Sequence, residues 1–269
     1  MAVTKIEIGI EEIQAAAERI KPYIKRTDVV VSPSINELLN AHCYFKQENV
    51  QAAGAFKSRG ACNVVFSLSD SEAKCGVVTH SSGNHAAALA RAAQLRGIPA
   101  HVVMPEDSVP QKIANVRSFN GQITFCRPTL EDREAVAGRI QTETGATMVH
   151  PYDDWRIIAG AGTAALELID DVPQLDLIVA PLGGGGLISG CALVAASQDP
   201  AVEVWGAEPV AADDAWQSRR RRQVVAQTCP TTQADGLRTS LGIRTWTVIA
   251  EHVPKIILSG ETKTRHWAR

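Results

Sequence analysis

Apolar residues recur at Ile10, Ile13, Ala17 and Ile20 with acidic and polar residues between them. That helical period predicts an amphipathic helix over Ile10 to Ile20. Beyond it the pattern alternates. Short apolar or β-branched runs at His42 to Glu48, Gly76 to His80, Ala100 to Met104 and Gln122 to Cys126 read as strands, as do Thr147 to His150, Leu175 to Leu182 and Glu203 to Ala207. Between them lie helical segments: Lys57 to Ser67, the alanine-rich Asn84 to Arg96, one ending near Asn120-Gly121, one beginning at Thr129, Ile157 to Ile169, and one from about Leu187. Thr129 followed by Asp132 has the form of a capping box. Strands alternating with helices of this length predict an α/β protein whose parallel sheets are covered on both faces. No internal repeat or low-complexity linker divides the chain, so any two-lobed division must come from the chain crossing between lobes.

Composition narrows the class. At 269 residues and 45% hydrophobic, the chain can bury a sizeable core. A net charge of -2 offers no basic excess for general nucleic-acid binding. The longest uncharged stretch, Leu177 to Gln198, is interrupted by Pro181 and a run of glycines, so it reads poorly as a membrane span. The N-terminus places acids and isoleucines where a signal peptide needs a basic start and an apolar run. Six cysteines (Cys43, Cys62, Cys75, Cys126, Cys191, Cys229) form no CxxC pair and read as reduced thiols of a cytoplasmic protein.

Three segments carry candidate chemistry, each read at a strand-to-helix junction, where open α/β sheets bind ligands. In Gly54-Ala55-Phe56-Lys57-Ser58-Arg59-Gly60-Ala61, a lysine opens a helix among small residues. Such an amine can form a Schiff base, with room beside it for a flat cofactor; a solvated lysine is the plain alternative. In Thr79-His80-Ser81-Ser82-Gly83-Asn84-His85, hydroxyls and N–H groups at a helix start make a cradle for a carboxylate. An ordinary N-cap and turn would use the same residues. The third segment is Gly183-Gly184-Gly185-Gly186-Leu187-Ile188-Ser189-Gly190. Consecutive glycines cost backbone entropy, and their N–H groups can wrap a phosphate at a helix start. The spacing fails both the dinucleotide and the P-loop patterns. A small phosphate monoester fits better.

A Schiff-base lysine, a carboxylate cradle and a monophosphate cup together describe a pyridoxal phosphate site for amino acids. In this order AGAFKSRGA, VTHSSGNHAAAL, IAGAGTAALEL, PLGGGGLISG, GAEP and ADGLRTSLG resemble the fold-type II pyridoxal phosphate enzymes, within them the serine racemase and threonine (serine) dehydratase family. The resemblance runs from about Thr27 to Trp246. It implies a tryptophan synthase β-like α/β fold of two lobes, with a large cofactor-binding domain from 1–70 and 148–269 and a small domain, 71–147, inserted in it. It further implies that Lys57 binds the cofactor and moves the Cα proton, that Phe56 packs by the ring and Asn84 bonds its 3′ oxygen. Gly183, Gly184, Gly185 and Gly186 would hold the phosphate. Ser81, Ser82, Asn84 and His85 would meet the substrate carboxylate, with Ser82 as a second acid/base on the face opposite Lys57. Arg133 would reach the substrate from the small domain, a solvated arginine on a charged helix being the alternative. Glu208, the Ala212 carbonyl and Asp214 resemble the family's divalent-cation site, and oxygen ligands suit Mg²⁺ or Ca²⁺. A homodimer acting on a small amino acid, with no nucleic-acid or membrane partner, is also implied. Arg219 to Arg222 reads as a solvated helix face.

The resemblance fades at the end of the chain. Family members continue into a Ser-Gly-Gly-Asn segment whose serine contacts the pyridine nitrogen, and Lys255 to Gly260 leads into a tail that does not match it. The expectation is dehydration or racemisation of serine, threonine or a related hydroxy-amino acid. A catalytically impaired, truncated remnant and a pyridoxal phosphate β-replacement enzyme are the alternatives.

Overall fold

The computed structural model describes residues 5–81 and 83–261. Helix α1 (Ile10–Ile20) forms where the apolar period places it and buries Ile13, Ala16 and Ile20. The chain then makes β1 (Val29–Val31), α2 (Pro33–Leu39) and β2 (Tyr44–Lys46). Here the structure corrects the sequence reading. The run His42 to Glu48 enters no parallel sheet; β2 pairs antiparallel with β1 in a two-stranded ribbon, Val30 opposite Phe45. Nor does a strand lead directly to Lys57. Two 3₁₀ turns intervene, and Ala53 (φ 54°) and Gly54 (φ 73°) reverse the chain in the left-handed region. Helix α3 (Lys57–Ser67) follows, then α4 (Asp70–Cys75), which a Ser69–Glu72 capping box starts and the hydrophobic pattern did not announce.

The first lobe alternates strand and helix: β3 (Val77–His80), α5 (Asn84–Arg96), β4 (Ala100–Pro105), α6 (Pro110–Ser118), β5 (Gln122–Cys126), α7 (Leu130–Thr144) and β6 (Thr147–Met148). All pairings are parallel, in the order β5-β4-β3-β6. Successive residues face opposite sides. Val77, Val102 and Met104 pack with Ala61 of α3 and Leu89 of α5, while Val78 and Val103 pack with Ala137 and Ile140 of α7. The capping box at α7 is half formed. Thr129 accepts from the Asp132 N–H, but the Asp132 carboxylate turns to the N–H and guanidinium of Arg127 instead.

In the second lobe come α8 (Trp155–Asp171), β7 (Leu177–Pro181), α9 (Gly186–Ala196), β8 (Glu203–Pro209), α10 (Asp214–Arg221), α11 (Ile243–His252) and β9 (Lys255–Ser259). Its strands run parallel in the order β7-β8-β9. The arginine run closes α10: Arg219 donates to the Ala250 carbonyl, Arg220 stacks over Trp216 and Arg221 donates to Gln217 Oε1, so three of its members are engaged. All six cysteines are free thiols, with Cys62, Cys126 and Cys191 buried and Cys229 exposed.

Helices α3, α8 and α9 meet through glycine. A Cβ on Gly160 would stand 2.6 Å from Gly60 Cα and 2.7 Å from the Arg59 carbonyl oxygen. A Cβ on Gly190 would stand 2.6 Å from Gly162 Cα. Backbone meets backbone at both crossings, so neither neighbour can swing away. Beside the first crossing, fully buried Arg59 donates to both carboxylate oxygens of Glu48 at 2.7–2.8 Å and to both of Glu167 at 2.8 Å. Burial opposes that charge, yet the hydrogen bonds from Glu48 and Glu167 outweigh it and raise the guanidinium pKa above its ordinary value.

Gly160→Ala is therefore expected to destabilise the protein by about 1–3 kcal/mol, the usual cost of overpacking. Gly138, mid-helix in α7, has nothing within 4 Å of its added Cβ. Gly138→Ala should stabilise by roughly 0.5–1 kcal/mol through backbone entropy alone. Urea unfolding of the two variants checks the opposite signs.

Candidate active site

Strand order in the first lobe reverses at β3: the chain proceeds outward to β4 and β5, then returns to β6 on the other side. Such switch points leave a crevice at the strand carboxyl ends. His80 ends β3, His150 follows β6, and their rings meet edge to face at 5.8 Å. Strand β3 leads into α5, whose first residues are Asn84 and His85. Lys57 opens α3 and the four glycines join β7 to α9, and both lie against Tyr152, which follows His150.

Lys57 is partly buried, and its Nζ donates to the Pro151 carbonyl at 2.7 Å. The amine lies 5.0 Å from the Phe56 ring centroid and 6.0 Å from that of Tyr152. Enclosure lowers its pKa from 10.5 to about 8. The imidazoles nearby are neutral at that pH. His85 is 2% exposed and neither ring nitrogen finds a partner in hydrogen-bonding geometry. Desolvation, then the charge of Lys57, holds its pKa well below the ordinary histidine value. His150 is pushed down to about 4, by desolvation first and by His80 next, and its Nδ1 accepts from the Asp153 N–H at 2.9 Å. Thr79 Oγ1 is likewise buried without a partner. Buried polar atoms left open in this way mark a place where a ligand supplies the missing partners.

The glycine run forms a cup closed on its outer side. A Cβ on Gly184 would enter the Tyr152 ring, one on Gly183 would stand 2.9 Å from Leu237 Cα, and one on Gly185 (φ 90°) would stand 2.8 Å from Thr245 Cβ. The backbone N–H groups of Gly183, Gly184 and Gly185 donate to no protein acceptor among the described residues. They stand at the start of α9, whose own first N–H groups lack intrahelical partners. A phosphate monoester is the complementary ligand. Thr245 fixes the wall by donating to the Gly184 carbonyl at 2.8 Å. Thr245 is held in turn by Asp153, which accepts from the N–H groups of Ile243, Arg244 and Thr245 at 2.8–3.2 Å.

At the end of β8, Glu208 is 1% exposed and its two oxygens accept from the N–H groups of Ala215 and Trp216. Desolvation raises its pKa to about 8, and Asp214 adds repulsion. Asp214, buried too, is raised to about 6 by desolvation. Ala212 is buried beside them in sequence. Among the described residues no three His, Cys, Asp or Glu side chains cluster as a metal site, so the expected site offers two carboxylates and a carbonyl at most.

Of the other expected residues, Ser81 accepts from the Gly83 N–H, Asn84 opens α5 at the exposed rim, and Ser82 lies outside the described residues. Arg133 is half-buried on α7, bonded to the Thr129 carbonyl, and its charge acts to lower the pKa of both His80 and Tyr152. Sequence reasoning missed Tyr152, Asp153, His150 and Thr245. The segment His150-Pro151-Tyr152-Asp153-Asp154, polar and aromatic directly after a strand, was the available signal.

The pyridoxal-phosphate dependent enzyme family matches residues 20–269 of this chain. A serine racemase of Arabidopsis thaliana is 47% identical over 253 residues, covering 94% of this chain and 76% of the racemase. A beta-hydroxyaspartate dehydratase of Paracoccus denitrificans is 48% identical, covering 94% of this chain and 80% of the dehydratase. The structure of maize serine racemase superposes with a TM-score of 0.95 at 45% identity, covering 96% of this chain and 78% of the maize chain.

The amine captures an aldehyde in its neutral form, and here that form is half populated at about pH 8 rather than 10.5. Covalent capture of pyridoxal phosphate by the apoprotein should therefore accelerate up to about pH 8 and then level off. Visible absorbance and borohydride trapping report the rate. Continued acceleration to pH 10, or trapping in Lys57→Ala, would contradict the assignment.

Proposed function

This chain belongs to the pyridoxal-phosphate dependent enzyme family, and from that premise we propose that it dehydrates or racemises a β-hydroxy amino acid of the serine, threonine and 3-hydroxyaspartate class. Its two-lobed α/β architecture is that of the fold-type II members. We divide it into a large domain, 1–70 and 148–269, and a small inserted domain, 71–147. The observation that carries the reading is that an enclosed amine of pKa about 8 and three glycine N–H groups without a protein acceptor among the described residues both flank Tyr152.

The residues present fit pyridoxal phosphate. Lys57 would anchor it through Nζ, Gly183 to Gly186 would hold its phosphate, Phe56 would lie against its ring and Asn84 would meet its ring oxygen. When bound, the cofactor withdraws electrons from the bonds at the substrate Cα. Ser81, Ser82, Asn84 and His85 hold the substrate carboxylate at the switch-point loop, and Arg133 approaches from α7. Lys57 then takes the Cα proton on its own face, a task for which its lowered pKa suits it near neutrality. Loss of the β-hydroxyl as water, followed by hydrolysis, yields a 2-oxo acid and ammonia. A proton returned from the Ser82 hydroxyl on the other face yields the enantiomer. Two relatives named for these outcomes, a serine racemase and a beta-hydroxyaspartate dehydratase, support the choice of substrate class.

We also propose that Glu208, Asp214 and the Ala212 carbonyl hold Mg²⁺ or Ca²⁺. Two buried carboxylates that repel each other, with no cationic side chain among the described residues bonded to either, fit a hard cation. A cytoplasmic homodimer is the form the family resemblance supports, and among the described residues no helix is long and apolar enough to cross a membrane.

Holoenzyme incubated with L-serine, L-threonine and 3-hydroxyaspartate should release a 2-oxo acid from at least one. Ser82→Ala should cost racemisation far more than elimination, because elimination uses the Lys57 face alone. A cofactor-loaded protein inert toward all three, or equal loss of both activities in Ser82→Ala, would overturn the respective assignment.

Chelation by EDTA should lower the melting temperature, and Mg²⁺ or Ca²⁺ should restore it, since a ligand of the native state stabilises by mass action. Glu208→Gln should abolish that response. An unchanged response in the variant would place the cation elsewhere.

A further inference from the structure

The first lobe carries the carboxylate loop and the second carries the glycine cup, and an ion pair bridges them at the mouth of the crevice. Lys112, in the first turn of α6, reaches Asp235, which opens the 3₁₀ turn Asp235–Leu237 between α10 and α11. Among the described residues it is the ion pair that joins 71–147 to 150–261, while Arg96–Asp70, at 3.6 Å, joins 71–147 to 1–70 at the back.

Both ends of the pair rest on the site itself. Lys112 Nζ stands 4.0 Å from the position a Cβ on Gly83 would take, so the ammonium lies against the carboxylate loop. On the other side the turn carrying Asp235 is also the wall of the cup. Leu237 Cα and the Gly236 carbonyl oxygen stand 2.9 and 3.3 Å from the Cβ position of Gly183. That turn is firmly seated: Arg238 donates twice to the Thr232 carbonyl, at 2.8 and 2.5 Å, and Thr232 is fully buried. A change in the Lys112–Asp235 separation therefore moves the loop and the cup relative to each other.

At the back, the lobes are tied differently. Ala61 of α3 and Leu89 of α5 share one core, Arg96 donates to the Val65 and Leu68 carbonyls, and Arg91 donates to the Tyr23 carbonyl. A buried seam at the back and an ion pair at the front give the arrangement of a hinge with a clasp. The clasp is open to solvent, with Lys112 and Asp235 side chains 31% and 59% exposed. Exposed pairs are weak, which suits a contact that must part whenever substrate enters or product leaves.

We propose that Lys112 and Asp235 are a positioning pair: joined, they hold the carboxylate loop over the phosphate cup, and parted, they admit the amino acid. The proposal rests on the reading of this crevice as an amino-acid and phosphate site. Lys112→Asp, Asp235→Lys and the double exchange are to be compared with the parent holoenzyme. Steady-state kinetics gives KM and kcat, cofactor absorbance gives the release rate of pyridoxal phosphate, and hydrogen exchange reports residues 81–86 and 233–238.

Each single variant puts like charges at the mouth and should raise KM roughly tenfold, with faster cofactor release and faster exchange in both segments. The double exchange should return all three to within about threefold of the parent, the residue being that expected of an imperfectly rebuilt pair. A structural role without positioning would change stability but leave KM unmoved and gain nothing from the exchange. Singles within twofold of the parent, or a double no better than the worse single, overturn the clasp. Should a charge reversal fail to fold, Lys112→Met decides by the same exchange measurement, and unchanged exchange in it is likewise fatal. If the parent shows no turnover, the proposed reaction fails, while the exchange comparison still decides the clasp.

Discussion

The distance between the Lys57 amine and the glycine cup is set in this protein by glycine. Lys57 begins α3 and Gly186 begins α9, and α8 lies between those two helices. At Gly60–Gly160 and again at Gly162–Gly190 the backbones touch with no side chain interposed. Helices spaced by side chains can drift by a rotamer change; helices in backbone contact cannot, because the interior is close-packed and the contact has no flexible end. Two helix starts on different elements are thus held at a fixed separation, which a site binding one ligand at both ends requires.

Arg59 adds the electrical part of the same constraint. Taken alone, a buried guanidinium would destabilise α3 at the turn that carries Lys57. Glu48 from the preceding 3₁₀ turn and Glu167 from α8 bind it bidentately, and Lys46 joins through Glu167 at 2.8 Å. Three separate stretches of chain are drawn to the base of the reactive lysine. Two residues away, the Lys57 amine meets no carboxylate among the described residues, but a carbonyl and two aromatic rings. The two cations of one helical turn therefore have opposite fates: Arg59 is kept charged, and Lys57 is brought to the edge of neutrality.

The sequence carried most of this architecture. The apolar period located α1, and the helical segments read from about Lys57 to Ser67 and Asn84 to Arg96 coincide with α3 and α5. The short, half-exposed β1 and β2 were misread or missed because a three-residue strand has no usable period, and pairing partner, not local pattern, decides its direction. Beyond Ala207 no elements were assigned, yet α11 and β9 complete the second lobe; their order depends on Asp153, ninety residues earlier, capping α11. The same distance in sequence hid Tyr152 and Thr245 from the list of site residues. Lys57 and the glycine run were legible because lysine among small residues and consecutive glycines are costly locally and repaid by chemistry. Residues that merely shape the cup carry no such local cost.

The two kinds of fixity then fit together. A site built wholly on backbone-contact helices could hold a cofactor but could not exchange substrate. The start of α5, which follows β3 at the switch point, lies outside the glycine-spaced α3–α8–α9 stack. The rings of His80, His150 and Tyr152 meet edge to face in turn, desolvation lowers the pKa of both histidines, and among the described residues neither histidine joins an ion pair. Nothing in this row of rings resists separation with a buried charge, so opening costs little desolvation there. The seam at the back combines a shared apolar core with arginine–carbonyl bonds and the Arg96–Asp70 pair, whereas the rim holds the Lys112–Asp235 pair alone among the described ion pairs. Motion is thereby confined to the side of the crevice where an amino acid must pass, while the amine and the cup keep their spacing.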